Sequence, residues 1–441
     1  MGEDVITIST VITEKLPSPT REFDRIIDNV VQPDYLPFEL LVKIFRLCCG
    51  IDCQESQRWS EADYTKVLHK LAQVCRVWAE TITKSSELWT VVQGTQSTQT
   101  SLAVLKLSQD RPLGVEVGFK NQAILHEVLK RFHRWEWARL YIDIYHGESF
   151  RPLLEREAPV ILRSFELGYK WDPNRTPQIL NLFHDHAPGL KHLRLASVLL
   201  RNWSSPILHG LRTLEMSYFR SGPSFPSLQN FVDALRACHV LEDLVLKEFN
   251  ILGHDVQPGS VAHLPRLQRL HIDAMPNMSI SILSVMDTPT CTDYFFSIPD
   301  LGYGDRVLLA IVSYVSDAFQ NHLLTGDFLR LTSGYTDVVV QITPDDPALP
   351  EFRLRFHAIC TSNAILQWVL PLIDKDRPNR GPIPAEVRLR GYDGTNGPKI
   401  LRRRLSGVMM VTSDRCGLEK ETRLHESGFT TAMFSNDGSE G

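Results

Sequence analysis

A six-residue phrase, Leu-x-x-Leu-x-Leu, recurs along the middle of the chain and constrains its fold more than any other feature. The copies begin at Trp137, Leu162, Leu190, Leu211, Leu241 and Leu267. The first is loose, and Leu190-Lys191-His192-Leu193-Arg194-Leu195 is the cleanest. Successive starts are 25, 28, 21, 30 and 26 residues apart. Leucine is common, so one copy carries no weight, but six at near-regular spacing do. Each copy suits a short strand that turns alternate side chains inward. Some intervening stretches have helical spacing. Residues 177–183 fit a short helix, and Leu228, Phe231, Val232, Leu235 and Cys238 line one side of another.

A strand plus a helix or turn every 20 to 29 residues is the period of leucine-rich repeats. The expected fold is therefore an α/β repeat, an irregular leucine-rich-repeat horseshoe solenoid over residues 96–375. No Gly-rich phosphate turn follows any of the strands, which argues against an ordinary nucleotide-binding α/β domain. Beyond Asp287 the phrase fades. Strands at Val338 to Ile342 and Phe352 to Phe356, with a helix near 364–373, are expected as irregular terminal repeats. Residues 376–441 are richer in Lys and Arg and end in small polar side chains, so a disordered tail is expected there.

The N-terminal part has a different pattern. Residues 1–30 read as a flexible lead-in marked by Pro17 and Pro19. Leu36-Pro37 then opens an amphipathic helix, with proline where a first turn tolerates it. Leu36, Leu40, Leu41, Ile44, Phe45 and Cys48 form its apolar stripe. A polar loop follows, and a second helix is expected from about Tyr64 to Ile82, with Val67, Leu71, Val74, Cys75, Trp78 and Ile82 on one face. A turn and a short extended segment complete this region at Ser85 to Val92. Two short helices bury both stripes poorly by themselves, so part of the apolar surface must meet the rest of the chain or a partner.

The segment Leu36-Pro37-Phe38-Glu39-Leu40-Leu41-Val42-Lys43-Ile44-Phe45, followed by Leu71-Ala72-Gln73-Val74-Cys75-Arg76-Val77-Trp78 and Leu88-Trp89, resembles an F-box. The layout is similar to the F-box-like proteins of mushroom-forming fungi. It departs from a compact F-box by an insertion at about 50–70. The resemblance implies an F-box-like helical domain over 31–95 that docks a Skp-family adaptor, and through it a cullin. It implies adaptor contacts from Leu36, Pro37, Leu40, Leu41, Ile44 and Phe45, completed by Leu71, Val74, Cys75, Trp78 and Trp89.

Other chemistries find little support. The formal net charge of −5 gives no global attraction to nucleic acid or anionic membrane. The apolar run Val307 to Val312 is far too short to cross a membrane. The first residues lack a secretory signal, so the eight cysteines are expected to be reduced thiols in the cytoplasm or nucleus. His184-Asp185-His186 and Cys48-Cys49-x3-Cys53 lack the further ligands of a zinc site. There is no Gly-x-Ser-x-Gly elbow and no Walker loop. Arg402-Arg403-Arg404 reads as a solvated cluster. No cofactor and no catalytic residue is expected. The expected function is substrate recognition for a Skp–cullin–F-box ubiquitin ligase, the repeats holding a target protein. The alternative is a non-ligase leucine-rich-repeat scaffold with a helical N-terminal cap.

Overall fold

The computed structural model describes residues 36–50, 64–94, 96–118, 122–142, 150–152, 154–169, 178–219, 227–249, 259–298, 310–311, 313–316, 318, 326–333, 337–344, 350–358, 385–390, 409–413, 419–425 and 428–432. The lead-in over 1–30, the inserted loop over 51–63 and the helix expected near 364–373 lie outside the described residues. The chain divides into two compact units, residues 1–170 and 171–441.

Among the described residues, the first unit opens with helices α1 (Phe38–Cys48), α2 (Tyr64–Ala72) and α3 (Arg76–Lys84). The single helix expected over 64–82 is thus two. The reason is local: Gln73 and Val74 donate back to the carbonyls of Lys70 and Leu71, closing tight turns. Cys75 is extended (φ −159°, ψ 167°) and starts α3 in a new direction. The break lets Leu68 on α2 and Ile82 on α3 enter one core, which a straight helix could not arrange. Strands β1 (Val91–Val92), β2 (Leu113–Val117), β3 (Trp135–Ile142) and β4 (Ser164–Tyr169) follow, side by side and all parallel. Helices α4 (Thr98–Leu107) and α5 (Gln122–Leu129) supply the crossovers that parallel pairing requires. The Ser97 hydroxyl caps α4 by accepting from the Thr100 amide at 3.1 Å.

In the second unit the phrases become β6 (His192–Ala196), β8 (Thr213–Phe219), β9 (Asp243–Phe249) and β11 (Arg269–Ala274). These four and β13 (Asp293–Ile298) pair in sequence order, all parallel. Their inner rows are leucine and its equivalents. Leu193, Leu214, Leu244, Leu270 and Tyr294 form one buried row, and Leu195, Met216, Leu246, Ile272 and Phe296 the next. Helix α6 (Leu228–Ala237) lies where spacing placed it, and Leu228, Phe231, Val232, Leu235 and Cys238 are all buried.

The architecture is nevertheless α/β on a large, mostly parallel sheet with helices, not the expected horseshoe solenoid. A solenoid needs one unit repeated with a constant step onto its neighbour. Here the connections differ in kind. The short strand β7 (Val198–Leu200) and a 3-10 turn separate β6 from β8, whereas α6 separates β8 from β9. Strand β10 (Ala262–His263) precedes β11, and α7 (Pro276–Ser284) with β12 (Met286–Asp287) follows it. Sequence order then fails. The strand beside β13 is β16 (Phe352–Ala358), and β15 (Asp337–Pro344) and β14 (Gly326–Ser333) continue the sheet antiparallel. The alternation that points to repeats belongs to any strand with one covered and one open face, and so does not by itself select a solenoid.

The helix expected at 177–183 is instead strand β5 (Gln178–Leu180) and a 3-10 turn. Phe183 and His184 are left-handed there (φ 55° and 49°), a conformation that no right-handed helix can contain. The turn buries Leu182 and Phe183. Among the described residues of 376–441, four strands occur: β17 (Ala385–Arg390), β18 (Met409–Ser413), β19 (Glu419–His425) and β20 (Gly428–Ala432). The rest of that segment, including Arg402-Arg403-Arg404, lies outside the described residues.

Gly114 pairs with Trp137, and a Cβ on Gly114 would run into the Trp137 ring. Gly114→Ala should cost about 1–3 kcal/mol by overpacking, measured by denaturant unfolding. Gly118→Ala, with open space around the added carbon, should stay within about 0.5 kcal/mol of the parent. His271 on β11 links the stability of the second unit to pH. Burial, helped by the Lys247 and Arg355 charges, pushes its pKa down to about 4. The unfolded chain therefore takes up this proton first as pH falls. Stability present above the ordinary value of 6.5 is lost on the way down to 4. His271→Asn should flatten that part of a melting-temperature profile; a profile unchanged by the substitution would refute the assignment.

Candidate functional site

The first unit holds the most distinctive surface. The N-terminal turn of α1 is set by Pro37, whose carbonyl accepts from the amides of Leu40 and Leu41 at 3.0 and 3.1 Å. Glu39 sits in that first turn and Arg46 in the last, as the helix dipole favours. The helix ends where the Cys49 and Gly50 amides bond the carbonyls of Phe45 and Leu47. Gly50 takes the left-handed conformation (φ 69°) that such an ending favours in glycine.

One side of α1 is locked inward. Leu41, Val42 and Phe45 are buried with Tyr64 and Leu68 of α2, Ile82 of α3, and Leu88 and Val91. Phe45 is fully buried and meets Trp78 edge-on, ring centroids 5.0 Å apart. The Trp89 indole donates to the Ile82 carbonyl at 2.8 Å and fixes the end of α3. The Tyr64 amide donates to Gln93 Oε1 at 2.9 Å and anchors the start of α2. Glu87 pairs with Arg111 at 3.0 Å and reaches Arg46 at 3.9 Å.

The other side of α1 faces solvent and carries an apolar stripe beside the exposed Glu39 and Lys43. Leu36, Leu40, Ile44 and Leu47 are all exposed, Leu40 by 47% and Leu47 by 59%. Their spacing places them along one stripe. Phe38 is exposed as well, as are Val74 and Val77 around the break between α2 and α3. A row of exposed leucines and isoleucine on a helix whose opposite side is fixed in a core is an uncommon use of apolar surface in a protein without a partner.

The residues expected to contact an adaptor therefore divide. Leu36, Pro37, Leu40, Ile44 and Val74 are exposed. Leu41 and Phe45 belong to the core, and Leu71, Trp78 and Trp89 are half-buried against it. Cys75 is half-buried where α3 begins. Leu47 and Val77 were not among the expected contacts. The signal for them was present, since each stands three residues after an expected contact, Ile44 and Val74.

Among the described residues, reactive chemistry is sparse. Burial pushes the Cys49 thiol up to about 12, with the neighbouring Cys48 adding to the shift. Burial does the same for Cys238 and Cys291. All three are held as thiols rather than as nucleophilic thiolates. Among the described residues no group of three or more His, Cys, Asp and Glu side chains could hold a metal ion. His184-Asp185-His186 sits in the strained turn, where Asp185 accepts from the Asn202 amide nitrogen at 3.4 Å. Cys53 lies outside the described residues. Among the described residues no helix is long and apolar enough to cross a membrane. Set against known proteins, the chain matches no family model and no curated protein.

Proposed function

We propose that the chain is the substrate-recognition subunit of a Skp–cullin–F-box ubiquitin ligase. The observation that carries this reading is the exposed stripe of Leu40, Ile44 and Leu47 on α1, continued by Leu36 just before it and backed by the buried Leu41, Val42 and Phe45. The resemblance of residues 36–45, 71–78 and 88–89 to an F-box supports it from the sequence side. In this reading the stripe packs against helices of a Skp-family adaptor, with Val74 and Val77 extending the contact. The second unit holds the target protein. Catalysis of ubiquitin transfer belongs to other subunits. This chain contributes proximity, because a tethered target meets the conjugating enzyme at high effective concentration.

The division of α1 into two sides gives a discriminating test. Ile44→Asp puts an unpaired charge into the docking interface while leaving the core untouched. It should weaken adaptor binding by about 3 kcal/mol or more, roughly a hundredfold. The melting temperature should stay near that of the parent. Phe45→Ala instead removes a buried ring and should cost about 3–5 kcal/mol of stability. The measurement is co-expression with a fungal Skp-family adaptor, followed by size-exclusion chromatography and titration calorimetry. Co-elution that Ile44→Asp abolishes supports the reading. Failure of well-folded parent protein to co-elute would overturn it.

A further inference from the structure

Helices α1–α3 do not close a core of their own. The cluster that buries Phe45 includes Val91 of β1, and Trp137 of β3 packs against it. The Trp137 ring lies over Gly114 of β2, where an added Cβ would come within 2.2 Å of it. Val92, the next residue of β1, points to the opposite side of the sheet and pairs in register with Val115. Val91 and Val92 are both buried, and α4 also lies against β1. Strand β1 is thus enclosed on both sides, and the helical group covers one of them.

Polar contacts make the same connection. The Gln93 side chain, which accepts from the Tyr64 amide at the start of α2, stands just after β1. The Gln93 amide donates to Gln96 Oε1 at 3.3 Å, and the Ser101 hydroxyl of α4 donates to that oxygen at 3.4 Å. A buried chain of hydrogen bonds therefore runs from α2 to the first crossover helix. Separately, Glu87 pairs with Arg46 of α1 and with Arg111, whose Nε also reaches the Ser86 hydroxyl at 3.4 Å. Arg111 leads into β2. Its carbonyl accepts from Arg134 Nε at 2.9 Å, and the Ser108 hydroxyl accepts from the same guanidinium at 2.8 Å. Arg134 is only 6% exposed. A buried guanidinium is costly unless its donors are satisfied, so this one fixes the turn that carries Arg111.

We propose that α1–α3 and strands β1–β3 form one cooperative folding unit held by Trp137, so that the helical group is not a separable domain ending near residue 95. Apolar packing, the buried hydrogen-bond chain and the ion-pair chain enter the sheet at different residues. Helices of 9 to 11 residues have little stability by themselves, and their order comes from the core they share with the sheet. On the docking reading above, on which this consequence rests, Trp137 is a positioning residue. It supports the core around Phe45, and through that core the stripe on α1, without belonging to the stripe. Anything that binds the stripe must then stabilise β2 and β3 as well. The cooperative unit is a property of the free chain. The proposal can therefore fail while the docking reading stands, and the reverse.

The test is native-state hydrogen exchange of the full chain in sub-denaturing guanidinium, read at amides of α1, β2 and β3. These amides should merge into one opening with the same denaturant dependence. Trp137→Ala should speed exchange in α1 and in the strands alike, by about a hundredfold or more. Trp137→Phe, which refills most of the site, should restore most of the protection of α1. Val115→Ala gives a second reading from the opposite side of the sheet, away from the helices. It should speed exchange in α1 and in β2 by the same factor, about tenfold. An α1 that opens separately at lower denaturant than β2 and β3 would overturn the proposal. So would parent-like exchange of α1 in folded Val115→Ala while exchange in β2 is faster.

Discussion

Parallel pairing of short strands is the constraint on which the second unit depends. A parallel ladder cannot close through a tight hairpin, so every strand must be followed by a crossover that returns the chain to the same end. The crossovers cover one side of the sheet, and that side must be apolar at every second residue. The buried rows headed by Leu193 and Leu195 meet this requirement strand by strand. The opposite side is released from it. Arg194, Glu215, Asp243, Lys247 and Arg269 can occupy positions that alternate with the leucines. A one-residue slip in any strand would drive these charges into the core, so their cross-strand ion pairs and the leucine rows specify the same register.

In the first unit the equivalent constraint is the burial of Phe45. It draws α1 onto Trp78 and brings Leu41 and Val42 against α2 and α3. Because α1 is held by that side, its other stripe has no shelter within the helical group. Exposure of Leu36, Leu40, Ile44 and Leu47 follows directly from burial of the residues between them. The proposed docking role thus rests on one local division within an eleven-residue helix.

The two units use their surfaces differently. The α1 stripe is apolar, with Lys43 exposed beside it, and suits burial that gains chiefly from the hydrophobic effect. The outward side of the parallel strands in the second unit is polar, its cations paired across strands with less exposed carboxylates.

Much of the local structure was legible in the residues. The Leu-x-x-Leu-x-Leu phrases became strands because alternation is a property of the strand itself, and α6 formed where Leu228 to Cys238 had helical spacing. The stripe on α1 was equally visible, but not which half of it would be buried. Leu40 and Leu41 are adjacent and alike, and only the arrival of Tyr64, Leu68 and Ile82 sends Leu41 inward and leaves Leu40 in solvent. The break at Cys75 and the left-handed turn at Phe183 likewise answer to cores assembled from distant residues. Above all, the spacing of the phrases could not distinguish a solenoid from an α/β sheet. Both need alternating apolar strands. What separates them is whether the connections repeat and which strands become neighbours, and the pairing of β13 with β16 is a long-range choice made only in the folded chain.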